Sequence, residues 1–162
     1  MLALSQASGY AILAASCLNG PDGAFILTRD IAACTGAPLP YLSKIFGSLS
    51  RAGLVQGRKG LHGGFRLRQP LRETSVAQVV EAVVGPGWDE HCLMGLEGCS
   101  DERACPLHED WKRVRQQIVG HLRATTMAEI VEFEHRAGRR KNCPQNSHAA
   151  MSADESGEGA EP

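Results

Sequence analysis

Two short helices joined by a tight turn are predicted within residues 28–55, and this pattern constrains the fold of the 162-residue chain more than any other. In "TRDIAACTGAPLPYLSKIFGSLSRAGLV", Thr28 is expected to be the N-cap of the first helix and Gly36 to end it. The second helix begins near Pro40, because a proline in a first turn lacks only an N–H that has no helical partner there, and Gly53 ends it. Its apolar stripe consists of Leu42, Ile45, Phe46 and Leu49. The pattern predicts a helix-turn-helix.

A glycine-rich segment, "LVQGRKGLHGGFRLRQP", follows the second helix without a break. Val55 lies in one predicted strand, and Phe65 and Leu67 lie in another, where they alternate with arginines. The glycines at 57, 60, 63 and 64 allow the chain to reverse between the strands. A hairpin in this place predicts a winged helix. The second helix would then enter the major groove of DNA, while the hairpin lies along the phosphates or reaches the adjacent minor groove.

The charges divide the chain into a basic part and an acidic part. Residues 1–72 carry eight Lys/Arg and two Asp, a net +6, whereas residues 73–162 carry nine basic and sixteen acidic groups, a net −7. This division is expected if only the first part meets a polyanion, although chance segregation or solubilising surface charge would look the same. The residues predicted to contact DNA lie on the helix-turn-helix and the wing: Thr28, Pro40, Tyr41, Ser43, Lys44, Ser48, Arg51, Arg58, Lys59, His62, Gly63 and Arg66.

The rest of the chain is predicted to contain a short helix, a loop, a long helix and a polar tail. "ETSVAQVVEAVVG" favours a helix capped by Thr74 or Ser75, which completes a DNA-binding domain over residues 1–84. After a cysteine-rich loop at 85–106, the apolar spacing in segment 107–137 predicts one helix of about 28 residues, from Leu107 to about His135. Such a helix favours a two-fold dimer that reads palindromic DNA, unless it folds back on the N-terminal helix. Residues 138–162 are predicted to be a disordered tail, in which Cys143 is an incidental thiol.

Three of the six cysteines lie in "HCLMGLEGCSDERACPLH". Cys92, Cys99 and Cys105 form a C-x6-C-x5-C pattern, and His108 follows Cys105 in C-x2-H. No basic leader or long apolar run indicates secretion or membrane insertion, so we expect a cytoplasmic protein with reduced thiols. Structural zinc prefers closer cysteine pairs, whereas thiolates and an imidazole also suit an iron-sulfur cluster. A cluster, a zinc ion and metal-free thiol chemistry stay open at this point, and no pattern of catalytic residues indicates an enzyme.

The motifs "GYAIL" in the first predicted helix, the helix-turn-helix, "GRKGLHGGFRL" and the three-cysteine loop resemble, in that order, the IscR/NsrR-type family of winged-helix transcription regulators. The resemblance covers residues 1 to about 136, and its "YLxKIxxxLxxAGLV" and "GxxGGFxL" elements are specific. It implies a mainly α protein with a small β wing, in which a winged helix-turn-helix domain precedes a long C-terminal dimerisation helix. It also implies a homodimeric regulator, a repressor, whose DNA affinity is controlled by an iron-sulfur cluster that senses nitric oxide, redox state or iron and cluster status. The alternative is a zinc-stabilised winged-helix protein without a sensing cluster.

The resemblance further implies the cluster ligands, which are Cys92, Cys99, Cys105 and a fourth residue. Some members are similar to this chain in having a histidine shortly after the third cysteine, here His108. Others use an acidic side chain from the first helix of the partner subunit, at the position that Gly9 occupies here, and glycine has no side chain to offer. His108 is therefore the expected fourth ligand, with His91, Glu97 and Asp101 as alternatives, and a two-iron cluster is favoured over a four-iron one.

Overall fold

The computed structural model describes residues 4–18, 20–60, 62–95 and 100–138. This part of the chain is mostly helical and has one two-stranded antiparallel sheet. The elements are α1 (Gln6–Ser16), α2 (Thr28–Thr35), α3 (Leu39–Arg51), β1 (Val55–Arg58), β2 (Gly64–Leu67), α4 (Val76–Val84), α5 (His108–Ala124) and α6 (Met127–Arg136). Short 3-10 helices cover Leu71–Glu73, Trp88–Glu90 and Asp101–Arg103. The predicted fold class, mainly α with a small β wing, is confirmed.

Helices α2 and α3 form the predicted helix-turn-helix. Gly36 ends α2 in the left-handed conformation with φ of 69°, which glycine adopts without steric cost. Pro40 lies in the first turn of α3, as expected. The prediction that Thr28 is the N-cap of α2 was wrong, because Leu27 is the N-cap and Thr28 is already the first helical residue. Asp30 lies in that first turn, where its negative charge complements the helix dipole in place of a capping hydroxyl.

Strands β1 and β2 form the wing, with Val55 opposite Leu67. The segment before α2 extends this hairpin, since Ile26 and Phe65 exchange two backbone hydrogen bonds of 2.9 Å. Gly64 makes that approach possible: a Cβ there would lie 2.0 Å from the Ile26 carbonyl oxygen, at a φ of 120°. At least one wing glycine is therefore required for close packing as well as for the turn.

The core lies between α1, α3 and α4 and reaches the wing. Phe46 of α3 is fully buried, and its ring stacks on that of Phe65 in β2 at 4.1 Å between centroids. Val79 and Val80 of α4 are also fully buried, and α4 packs against both α1 and α3. The stacked aromatic pair joins the hairpin to the second helix of the helix-turn-helix.

The single helix predicted from Leu107 to about His135 was wrong, because the chain breaks between α5 and α6. The Thr125 carbonyl accepts a hydrogen bond of 2.9 Å from Val76 N–H, and the Met127 N–H donates one of 2.8 Å to the Thr74 carbonyl. Thr126 then caps α6 in a capping box with Glu129. The side chain of Met127 is fully buried, so the break also adds a residue to the core.

Among the described residues, none of the helices combines the length and apolar character that crossing a bilayer requires. The tail predicted at 138–162 lies outside the described residues except for Gly138.

Candidate DNA interface and metal-binding loop

Helix α3 buries one face and exposes the other. The buried face is the predicted stripe of Leu42, Ile45, Phe46 and Leu49. Pro40, Tyr41, Ser43, Lys44 and Arg51 are exposed, and Ser48 is half-buried. Arg51 Nη2 donates a hydrogen bond of 3.1 Å to Ser48 Oγ, and Ser43 Oγ donates one of 3.1 Å to the Leu39 carbonyl. The helix thus presents two cations and several hydroxyl groups on its open face, the chemistry that phosphates and base edges accept.

Tyr41 also has a structural contact. Its ring meets that of Tyr10 in α1 edge-on, with 5.6 Å between the centroids. Thr28 is half-buried in the first turn of α2. The ring contact of Tyr41 therefore joins α3 to α1.

The wing cations are held by an aromatic residue that was not predicted. The guanidinium of Arg58 lies 4.5 Å from the centroid of Phe25, and that of Arg66 lies 4.6 Å from it. Each contact is a cation–π interaction, which favours a fixed position for a side chain that otherwise has many rotamers. Phe25 lies in the segment before α2, and its position beside the wing depends on the Ile26–Phe65 pairing.

The two arginines differ in how many donors remain for a ligand. Arg58 donates to the His62 carbonyl, and Arg66 donates to Gln56 Oε1 at 3.2 and 3.3 Å and to the Gly23 carbonyl at 3.3 Å. Arg66 is half-buried, whereas Arg58, Lys59 and His62 are exposed and Gly63 is buried. The structure thus gives Arg66 mainly a role within the protein, while Arg58 and Lys59 are open to solvent.

The described ligand candidates of the loop flank its two ends. Cys92 is half-buried after the Trp88–Glu90 turn, and Cys105 is half-buried before α5. His108 is the first residue of α5 and only 5% exposed, and its backbone N–H donates a hydrogen bond of 2.9 Å to the Cys105 carbonyl. Cys99 and the alternative ligand Glu97 lie outside the described residues.

A short chain of polar contacts holds the ring of His108. His108 Nε2 lies 2.8 Å from Asp101 Oδ1, and Lys112 Nζ lies 2.8 Å from the same oxygen. The hydrogen bond from Lys112, and then that from His108, holds the pKa of Asp101 below its usual range. The same bond raises the pKa of Lys112. The carboxylate is therefore kept ionised beside the buried imidazole.

Helix α5 also fixes the first half of the loop. The Trp111 indole N–H donates 2.8 Å to the His91 carbonyl, and Arg115 Nη1 donates 3.3 Å to the same oxygen. Arg123 pairs with Asp89 at 2.7 Å. These contacts place Cys92 next to a cavity of about 260 Å³ between α1, α4 and α5. None of these contacts was predicted from the sequence, although two tryptophans around a ligand-rich loop are a usable signal.

The donors fit an iron-sulfur cluster in chemical type. Two thiols and one buried imidazole are near a loop long enough to surround an inorganic core, and thiolate with imidazole ligation is established for such clusters. Gly9 has no side chain, so α1 offers no side-chain ligand at that position. In the described part of the chain, the ligand atoms found within 4.8 Å of one another belong to Asp101, His108 and Glu109, and no cysteine is among them.

The chain matches a known protein family over most of its length. The model of the Rrf2 family, described as an iron-dependent transcriptional regulator, matches residues 4–133. The HTH-type transcriptional regulator IscR of Photorhabdus laumondii is 34% identical over 116 residues, which is 70% of this chain and 70% of that relative.

Solved structures agree on the fold. CymR (YrzC), the global cysteine regulator of B. subtilis, gives a TM-score of 0.65 at 20% identity and covers 82% of this chain and 98% of its own. IscR of T. potens gives 0.63 at 24% identity and covers 84% of this chain and 90% of its own. A family match over most of the chain, together with the winged helix and its open cationic face, shows that the protein belongs to the Rrf2 family and is a DNA-binding transcriptional regulator, not an enzyme.

Proposed function

We propose that this regulator carries an iron-sulfur cluster held by Cys92, Cys99, Cys105 and His108, and that the state of the cluster controls its affinity for DNA. The observation that carries the proposal is the setting of His108. The ring is buried at the start of α5, three residues after Cys105, and Asp101 holds one ring nitrogen at 2.8 Å. Metal-binding histidines characteristically have a carboxylate on the second nitrogen, since it fixes the tautomer and the orientation of the ring.

The cluster, when bound, supplies a centre that reacts with nitric oxide and oxidants and depends on iron supply. The residues of this chain then couple the state of the cluster to the position of α5. Cys105 and His108 tie the site to the start of α5, and Trp111 ties the first half of the loop to the same helix. Because α5 packs on α4 and α4 packs on α3, a change at the loop lies two helix contacts from the DNA-reading helix. The two-iron type is favoured from the family resemblance.

The DNA interface consists of α3 and the wing. Lys44 and Arg51 on α3, with Arg58 and Lys59 on the wing, supply charge to phosphates and make affinity dependent on salt. The hydroxyls of Ser43 and Ser48 lie on or beside the open face of the same helix. Binding at a promoter in this way suits a repressor, because the bound protein occupies the DNA that the polymerase needs.

We also propose a homodimer that reads a palindromic operator. Val114 and Ile118 of α5 and Phe133 of α6 lie on the apolar side of the segment predicted as one long helix, and they are 40%, 38% and 49% exposed. Apolar side chains one helix turn apart on α5 form a stripe that a second copy can cover. Two copies related by a two-fold axis present two α3 helices to two half-sites.

The decisive experiment uses the full chain purified without oxygen. The visible spectrum, iron and sulfide content are measured, and DNA from the protein's own promoter region is titrated with cluster-loaded and cluster-stripped protein. The proposal expects a coloured protein containing iron and sulfide, with DNA affinities that differ between the two forms by about 5- to 150-fold.

One outcome would overturn the cluster, and another would change its proposed ligand set. A colourless protein with one equivalent of zinc supports a zinc-stabilised regulator. Retention of the colour after Cys99→Ser, with unchanged DNA binding, would remove that cysteine from the ligand set. His108→Ala serves as the sharpest variant, because a purely structural histidine would leave the spectrum intact.

A further inference from the structure

Two cysteines outside the loop lie in contact within the DNA-binding half of the protein. Cys17 is the C-cap of α1, and Cys34 lies in the last turn of α2. Their Sγ atoms are 3.2 Å apart, and the two residues are not joined in a disulfide. They are 17 residues apart in sequence, so only the packing of α1 against α2 brings them together.

The pair is placed so that a disulfide can form with little movement. A disulfide has an S–S bond of about 2.05 Å, so the two sulfurs need to approach by only about 1 Å from their present 3.2 Å. Cys17 is 1% exposed and Cys34 is half-buried. An oxidant therefore reaches the sulfur of Cys34 first, and the sulfur of Cys17 is buried next to it.

We propose that Cys17 and Cys34 form a redox modification site, separate from the cluster loop, in which hydrogen peroxide converts the dithiol to an intramolecular disulfide. The deprotonated sulfur of Cys34 attacks one peroxide oxygen, the O–O bond breaks, and hydroxide leaves to become water. The sulfur of Cys17 then attacks the sulfenic acid of Cys34 and a second water leaves. Two thiols are oxidised, one peroxide is reduced, and two waters are the products.

The bond would act on the segment that supports the wing. Residues between Cys17 and Cys34 include Phe25, which holds both wing arginines, and Ile26, which pairs with Phe65. Closing this segment into a covalent loop restricts the unfolded chain, so the oxidised protein unfolds at a higher temperature. A reversible bond would thus stabilise the DNA-binding half against unfolding when the cell is oxidised.

Digestion with trypsin tests the disulfide directly, because it separates the two cysteines into different peptides. Cleavage after Arg29 and Lys44 places Cys17 in peptide 1–29 and Cys34 in peptide 30–44, each with one cysteine, whereas the loop cysteines fall in peptides 73–103 and 104–112. The full chain is treated with hydrogen peroxide, its remaining thiols are alkylated in denaturant, and the digest is analysed by mass spectrometry. We expect peptides 1–29 and 30–44 joined by one disulfide, and their separation on reduction.

The disulfide-linked peptides found in the wild-type protein test the proposal without any variant. Two results would overturn the proposal. In one, Cys17 and Cys34 are both alkylated although the loop cysteines are oxidised; in the other, Cys34 is joined to a loop cysteine. Variants add the order of events: Cys17→Ser should leave a sulfenic acid on Cys34 that dimedone traps, and dimedone on neither cysteine in that variant would contradict attack at Cys34. Cys34→Ser should abolish the rise in unfolding temperature, whereas the matched control Cys143→Ser should retain it.

Discussion

Replacing Lys44 with alanine tests whether α3 meets the phosphate backbone and whether two copies do so together. Lys44 is exposed on α3, beside the buried residues Ile45 and Phe46 but outside their packing. No carboxylate of the described residues pairs with it, in contrast to Lys112, which is bound to Asp101. Removing its charge therefore changes the interface without disturbing a contact within the fold.

The size of the effect follows from counterion release. Each phosphate contact contributes about 0.9 to the steepness with which the logarithm of the binding constant falls against the logarithm of the salt concentration. At 0.1 M salt, relative to 1 M, one contact therefore contributes about 8-fold in affinity. One protomer on the DNA loses one contact. A two-fold dimer loses two, so its slope should fall by about 1.8 and its affinity by about 60-fold at that salt concentration.

Fluorescence anisotropy with promoter DNA, repeated over a series of salt concentrations, gives both quantities. Arg113→Ala is the matched control, since Arg113 is an exposed cation of α5 paired with Asp110 and lies outside the proposed interface. An unchanged slope in Lys44→Ala would refute the contact. A fall of about 0.9 would retain the contact and refute the two-fold arrangement.

Four further changes probe the wing, the helix break and the loop. Phe25→Leu removes the cation–π contact of about 0.5–1 kcal/mol that holds Arg58, so DNA binding should weaken about 2- to 5-fold, whereas Phe25→Tyr keeps an aromatic ring there and should leave it unchanged. Thr126→Ala removes the cap of α6 and should lower the free energy of unfolding in urea by about 1 kcal/mol; an unchanged value would mean that the cap does not hold the break. Hydrogen bonds from the Thr126 backbone and side chain lower the pKa of Glu129. Its contribution to stability is therefore present above the unfolded-state pKa and is lost as pH falls through the folded-state value, so Glu129→Gln should flatten the acid side of the stability profile. Asp101→Ala should weaken cluster retention against a chelator about 10- to 100-fold, whereas Asp110→Ala, in the first turn of the same helix, should match wild type.

The helix-turn-helix and the wing could be predicted because their signals are local. Gly36 ends α2 through its own conformation, and the buried stripe of α3 follows directly from spacing. The break between α5 and α6 has a local signal too, since Thr126 and Glu129 match a capping box. Apolar residues on both sides of it continue with helical spacing, however, and the backbone pairing of Val76 with Thr125 that fixes the break joins distant parts of the sequence.

The contacts of the candidate site were harder to predict for the same reason. Arg66 reaches the Gly23 carbonyl across 43 residues, so neither its position beside Phe25 nor its internal role follows from the wing sequence. Asp101 was named only as an alternative ligand, but the structure places it between His108 and Lys112. Spacing identifies which residues carry suitable chemistry. Tertiary packing decides which of them meet the ligand and which hold the others in place.

The helix break also limits how a change at the loop can reach the DNA. Helix α5 begins at His108, and its far end is fixed to α4 by the bond from Val76 to the Thr125 carbonyl. Beyond the break, α6 packs on α1 and buries Met127. This segment is therefore part of the packed domain and does not project from it as a continuation of α5. A displacement of the start of α5 would therefore pivot about the held end. It would act on α4, which also contacts α3, and on the exposed stripe of Val114 and Ile118. If a second copy covers that stripe, the same pivot changes both the setting of each α3 and the spacing between the two.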